Sequence, residues 1–173
     1  MDIQSVVVGG GPVASLIVLS THDVPAGGTP QQLPIRIGSV EATAITMGVR
    51  DRTGARPMTH DLLSAVISEL GGRCLSVRVM AVQGTTFFAQ VELADAAGER
   101  HYVDARPSDA IALAVREGVA IYADESVLDA AALPDFRGVE ADERAHELEE
   151  FHAFVEQLSP EDFNVTRGGQ DAE

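Results

Sequence analysis

The chain has no tryptophan, no lysine and a single cysteine, Cys74. One cysteine excludes an internal disulfide framework and any paired-cysteine zinc spacing, and it fits a reducing compartment. With lysine absent, all twelve basic residues are arginine, the side chain whose planar fork grips phosphate or carboxylate through two hydrogen bonds. No apolar run reaches the roughly 18 residues of a membrane-spanning helix. Val6 to Leu19 comes nearest, but Gly9-Gly10-Gly11-Pro12 interrupts it and Asp2 stands where a signal peptide carries basic residues, so the stretch reads as strand, turn and strand. A cytoplasmic location is the expectation. Also missing are a phosphate-binding loop, a dinucleotide glycine fingerprint, a Gly-x-Ser-x-Gly elbow and a basic-aromatic stripe for nucleic acid.

What is present is an acidic chain of 173 residues with a net charge of −15 and 45% apolar residues, enough for one buried core and a short appendage. The acidity is uneven: from Asp124 onward there are 15 acidic and 3 basic residues, against 12 and 9 before it. Such a charge opposes broad electrostatic adhesion to nucleic acid, so any phosphate site must be local.

One short phrase occurs twice. Arg56-Pro57-Met58-Thr59-His60-Asp61-Leu62-Leu63 is answered by Asp104-Ala105-Arg106-Pro107-Ser108-Asp109-Ala110-Ile111, each before an apolar, helix-like run. A helix start offers unpaired N–H groups and the positive end of the macrodipole, which suits an anion. Thr59 and Ser108 are expected to cap these helices. Capping leaves Arg56, Arg106, His60, Asp61, Asp104 and Asp109 unexplained; an ion pair tying the loop and a functional site are both open readings.

Strands are expected over Ile3 to Val8, Ser15 to Ser20, Leu33 to Gly38 (with Arg36 outward), Cys74 to Val82, Thr86 to Leu93, His101 to Val103 and Val119 to Tyr122. Glu41 to Gly48 reads as a short helix or a strand-like continuation. Leu62, Leu63, Val66, Ile67 and Leu70 mark one helical face ended by Gly71-Gly72, and Ser108 to Glu117 forms a second helix burying Ile111, Leu113 and Ala114. Hairpins outnumber crossovers, so the expected class is α+β: a mixed, mainly antiparallel sheet with internal duplication, plus a C-terminal amphipathic helix. Residues 1–133 form the expected domain and 134–173 an acidic extension, in which Ala141, Ala145, Leu148, Phe151, Val155 and Leu158 make the stripe. His146 and His152 with Glu149 and Glu150 read as a solvated face, and Cys74 as core.

Leu33-Pro34-Ile35-x-Ile37-Gly38, Glu41-Ala42, Ala44-Ile45, the two Arg-Pro phrases and Phe87-Phe88-Ala89, in this order and spacing, resemble the bifunctional nuclease family, also called the DUF151 domain, over about residues 3 to 130. The tail phrase Ser159-Pro160-Glu161-Asp162-Phe163 is similar to an extension found in bacterial members. The resemblance implies a duplicated α+β fold, frequent homo-oligomers, and cleavage of RNA and DNA with little sequence preference.

For such cleavage the candidate residues are Arg56 and Arg106 on the phosphate with the helix starts at Thr59 and Ser108, His60 as proton-transfer group, and Asp61, Asp104, Asp109 and Glu41 as orienting groups. Asp104 and Asp109 are also candidates for a divalent cation, magnesium or manganese, by their hard oxygen atoms. The rival reading is a non-catalytic oligomeric binding or regulatory module, including one for a small phosphorylated ligand. Convergence of Arg36, Arg56 and Arg106 on one groove would favour a polymer.

Overall fold

The structure, a computed structural model, describes residues 1–9, 14–22, 30–49 and 56–134, all within one compact unit, Met1–Pro134. The helix expected over residues 141 to 158, with its histidines, and the tail phrase lie outside the described residues.

The elements run β1 (Asp2–Val7), β2 (Ser15–Ser20), β3 (Gln31–Ile37), α1 (Ser39–Val49), α2 (Thr59–Glu69), β4 (Arg73–Gln83), β5 (Thr86–Ala94), β6 (Arg100–Ala105), α3 (Pro107–Glu117), β7 (Ala120–Ala123), α4 (Glu125–Ala131) and β8 (Leu133–Pro134). They form two four-stranded sheets, ordered β1-β2-β3-β8 and β6-β5-β4-β7. Every pairing is antiparallel except β4 with β7, which α3 makes parallel by carrying the chain back across the second sheet. The class is α+β. Glu41 to Gly48 is helical, and the tight β4–β5 hairpin turns at Gly84, whose φ of 59° is left-handed.

The core lies between the sheets and around α3. Ile17, Leu19, Leu33 and Ile35 enter it from the first sheet, and Val77, Val79 and Val91 from the second. Ala110 to Ala114 are all buried, so α3 is enclosed on every side, and its alanines let α1 and both strands β4 and β5 approach closely. Cys74 is buried in β4; burial pushes its thiol up to about 11.

The apolar face of α2 is turned outward, and the capping expectation fails. Helix α2 buries none of its residues: Leu62 is 57% and Leu70 78% exposed, with Leu63 and Val66 also outward. The helix docks instead by polar side chains, with Ile67 alone of its apolar positions packed on the core. His60, Asp61 and Ser64 bond Asp109, Arg116 and Glu117 of α3. Thr59 and Ser108 do not cap. The N-caps are Met58 and Arg106, because Pro107 itself occupies the first position of α3 whereas Pro57 precedes the cap of α2. The repeated phrases therefore enter their helices in different registers. Helix α4 was not anticipated, being seven residues long with one buried side chain, Val127, too short to show a period.

Arg116 joins the three helices. Its Nε donates to Asp61 Oδ1 of α2 at 2.5 Å, and its Nη1 to the carbonyls of Ala44 in α1 at 3.1 Å and Ala112 at 2.8 Å. The side chain is only 6% exposed, and a Cβ on Gly48 would stand 2.6 Å from Nη1. Arg116→Met is expected to lower unfolding free energy by on the order of 3 kcal/mol, because Asp61 loses its buried partner. Urea denaturation at neutral pH measures this, and a loss below about 1 kcal/mol, the range of a surface pair, would show that the ion pair does not hold the helices.

Candidate functional site

Helices α1, α2 and α3 start alike. The carbonyls of Gly38, Met58 and Arg106 accept from the N–H groups of Ala42, Leu62 and Ala110 at 2.9, 2.8 and 3.0 Å. Each is therefore an N-cap, and Glu41, Asp61 and Asp109 each occupy the third helical position. An acid there faces unpaired N–H groups and the positive end of the helix. Asp61 completes its own start, accepting from the Met58 N–H at 2.7 Å. Glu41 folds back over its cap so closely that a Cβ on Gly38 would lie 2.1 Å from Oε2, so a side chain at this position would displace the Glu41 carboxylate.

Two of the three acids meet at one arginine. Arg106 donates through Nε to Asp109 Oδ2 at 2.8 Å, through Nη2 to Asp109 Oδ1 at 3.3 Å and through Nη1 to Glu41 Oε1 at 2.9 Å. Asp109 also bonds His60 Nε2 at 3.1 Å, across 49 residues of sequence. His60 is mostly buried and Arg106 mostly exposed, so the cluster presents a guanidinium outward above a sheltered imidazole. An ionised carboxylate only accepts, so Nε2 carries the proton toward Asp109 and the neutral ring keeps the Nδ1 lone pair.

The electrostatics keep both acids ionised. Burial pushes the Asp109 carboxyl up, but hydrogen bonds from Arg106 and His60 and the Arg106 charge outweigh it, and the result lies below the usual aspartate range. Glu41 is lowered first by its own backbone N–H and then by Arg106. The same two carboxylates raise Arg106.

Beside the cluster lies a cavity of about 430 Å³, lined among others by Arg36, Glu41, Phe87, Arg106 and Ser108. Arg36 and Arg106 thus share one hollow; Arg56 is not among its lining residues and makes no hydrogen bond or ion pair among the described residues. Thr59, the first residue of α2, is exposed. Asp104 stands apart, exposed on β6 opposite Gln90, with no hydrogen bond among the described residues. Asp61 is engaged with Arg116. The three acids and histidines able to reach one ion, among the described residues, are Asp95, Glu99 and His101 at the β5–β6 turn. There Asp95 already holds the turn, accepting from the N–H groups of Ala97 and Glu99 and bonding His101. Asp104 and Asp109 are not in that group, and Glu41 and Asp109 are both bonded to Arg106. Sequence reasoning missed Arg116, Gly38 and Phe87 as site-shaping residues; the one available signal was the three-residue interval from Gly38 to Glu41, legible only once the helix start is known.

Strand, helix and cluster together define an Arg-Asp-His site at converging helix starts of an α+β domain. Residues 24–135 match the bifunctional nuclease domain, and the chain belongs to that family. It is similar to the uncharacterized protein Rv1829 of Mycobacterium tuberculosis (strain ATCC 25618 / H37Rv), 42% identical over 139 residues, covering 78% of this chain and 82% of that one. The uncharacterized protein MT1877 of strain CDC 1551 / Oshkosh matches to the same extent.

A group whose folded pKa is depressed contributes stability above its unfolded pKa and loses it as pH falls through the folded value. Glu41 and Asp109 are such groups, so the melting temperature is expected to be level above about pH 5 and to fall below about pH 4. Arg106→Ala should flatten that fall in part, since Glu92 and Asp95 are lowered by other partners. Thermal scans across this range check it; an identical slope in both proteins would count against the shared bridge.

Proposed function

We propose that the protein is a phosphodiester hydrolase acting on RNA and DNA with little sequence preference, with its site at the Glu41–Arg106–Asp109–His60 cluster. The observation that carries the reading is the His60–Asp109 contact, which joins the two repeated phrases into one proton-transfer pair. Asp109 holds the imidazole so that Nδ1 is free to take a proton from an attacking water. The N–H groups of Arg106 not used by its two carboxylates face solvent, where they can take a phosphate oxygen and the charge that develops on it. Glu41 and Asp109 set the plane of that guanidinium. No step is routed through a metal ion, because the cluster's two carboxylates, Glu41 and Asp109, are bonded to Arg106. Asp61 belongs to the support, through Arg116, and Arg56 and Thr59 lie at the outer edge of α2, where a strand longer than one unit would pass.

The test is cleavage of labelled single-stranded RNA and DNA by purified protein, with magnesium, manganese or chelator. His60→Ala and Asp109→Asn are each expected to reduce the rate by about 10²–10⁴-fold, the range of general acid–base catalysis. Variants that cleave as fast as wild type would overturn the reading, and loss of wild-type activity in chelator would return a metal ion to the mechanism.

The second reading, an oligomeric binding or regulatory module, is favoured by the outward apolar face of α2, Leu62, Leu63, Val66 and Leu70. A patch of this kind on a soluble domain is an association surface, and a homo-oligomer in the cytoplasm is compatible with either function. Leu62→Glu with Val66→Glu is expected to lower the mass measured by light scattering to that of a single chain. An unchanged mass would place the subunit contact elsewhere.

A further inference from the structure

We infer that the cavity beside Arg106 is a one-nucleotide pocket, holding the phosphate of a nucleoside monophosphate at the start of α3 and its base against Phe87. It rests on the hydrolase reading only for the nature of the polymer from which that unit would come. Two of the cavity's polar lining residues, Ser108 and Arg36, have no side-chain partner among the described residues. Ser108 is 6% exposed, yet its hydroxyl makes no hydrogen bond among the described residues, and it lines the hollow. The residue is nearly enclosed while its hydroxyl stays open to the hollow, where it can donate to an oxyanion. Pro107 brings no N–H, and the N–H groups of Asp109 and Ala110 both turn to the Arg106 carbonyl at 3.0 Å, so Ser108 is the donor that this first turn leaves over.

Arg36, outward on β3 and without an ion partner among the described residues, stands on the same wall as Arg106. Glu41 is the opposing charge in the lining, bonded to Arg106. Arg106 is bonded to two carboxylates, Glu41 and Asp109, so Arg36 is the cation of the hollow left to meet a phosphate.

Apolar groups line the hollow too, namely Ile35, Ile37 and the half-buried ring of Phe87. A cavity of about 430 Å³ lies at the small end of ordinary ligand sites and suits one nucleotide rather than several. An aromatic ring beside a phosphate-binding helix start is the pair of features a nucleotide uses, since every base has a face to stack and no sequence is read by stacking. Cleaved strands would therefore deliver their terminal unit here, and a free nucleoside monophosphate would compete with them.

The experiment is calorimetric titration of the full chain with AMP, UMP, adenosine and inorganic phosphate, beside cleavage of an oligonucleotide by the same preparation. AMP and UMP are expected to bind, with phosphate and adenosine each at least about tenfold weaker. Phe87→Leu, which keeps the apolar volume, should weaken AMP about tenfold, within the range of base stacking, and leave phosphate unchanged. Arg36→Ala, an exposed change, should weaken AMP and phosphate alike. AMP binding in a preparation that cleaves nothing would uphold the pocket and remove the hydrolase. Cleavage without AMP binding, phosphate binding as tight as AMP, or a Phe87→Leu protein with wild-type affinity would each overturn the pocket.

Discussion

The helical layer depends on Arg116. Three helices whose facing surfaces are short on large apolar side chains need another connector, and a nearly buried guanidinium supplies one by reaching two backbone carbonyls and one carboxylate. A lysine could not bridge three directions from one plane, and Gly48 leaves the gap into which the fork fits. Its Nη2 is buried without a hydrogen-bond partner among the described residues, so the arrangement stores some polar strain while fixing a unique geometry. That geometry positions everything else: with α2 set against α3 by Asp61, the next residue back, His60, meets Asp109.

Polar docking of α2 also explains how the domain keeps a site at its helix starts. If Leu62 and Leu63 were the inward face, His60 and Asp61 would be turned away from α3 and the two phrases could not join. The fold places the polar residues of α2 inward and its leucines outward, trading apolar burial for a hydrogen-bonded junction. Burying a charge is tolerable only with a partner, and here each inward charge has one: Asp61 with Arg116, Asp109 with Arg106 and His60.

Much of the fold was legible because its strands alternate and α3 carries an unbroken buried run. Ser15–Ser20 and Thr86–Ala94 read directly from their period and flanking turns. The site was partly legible: Arg106, Asp109 and His60 were named because the repeat drew attention to them, and the structure brings them into contact. What sequence could not supply was register. A shift of one residue at Thr59 and of two at Ser108 moves them out of the cap and puts Glu41, Asp61 and Asp109 at equivalent positions, and no local propensity distinguishes Met58 or Arg106 as a cap. Nor could periodicity say which face of α2 is inside. Five apolar positions in a stripe imply a core face by burial alone, whereas here hydrogen bonds to α3 decided the orientation. Phe87 and Arg36 lie on different sheets, and only the topology makes them neighbours of Ser108.

Cys74 lends the molecule a different property. The chain's one thiol is enclosed in β4, and its pKa near 11 leaves almost no thiolate at neutral pH. A thiol reagent can then react only when the second sheet opens, so labelling would proceed at the rate of that opening and at one position per chain. The fold contains its own clock for local unfolding, readable by mass on the unmodified protein.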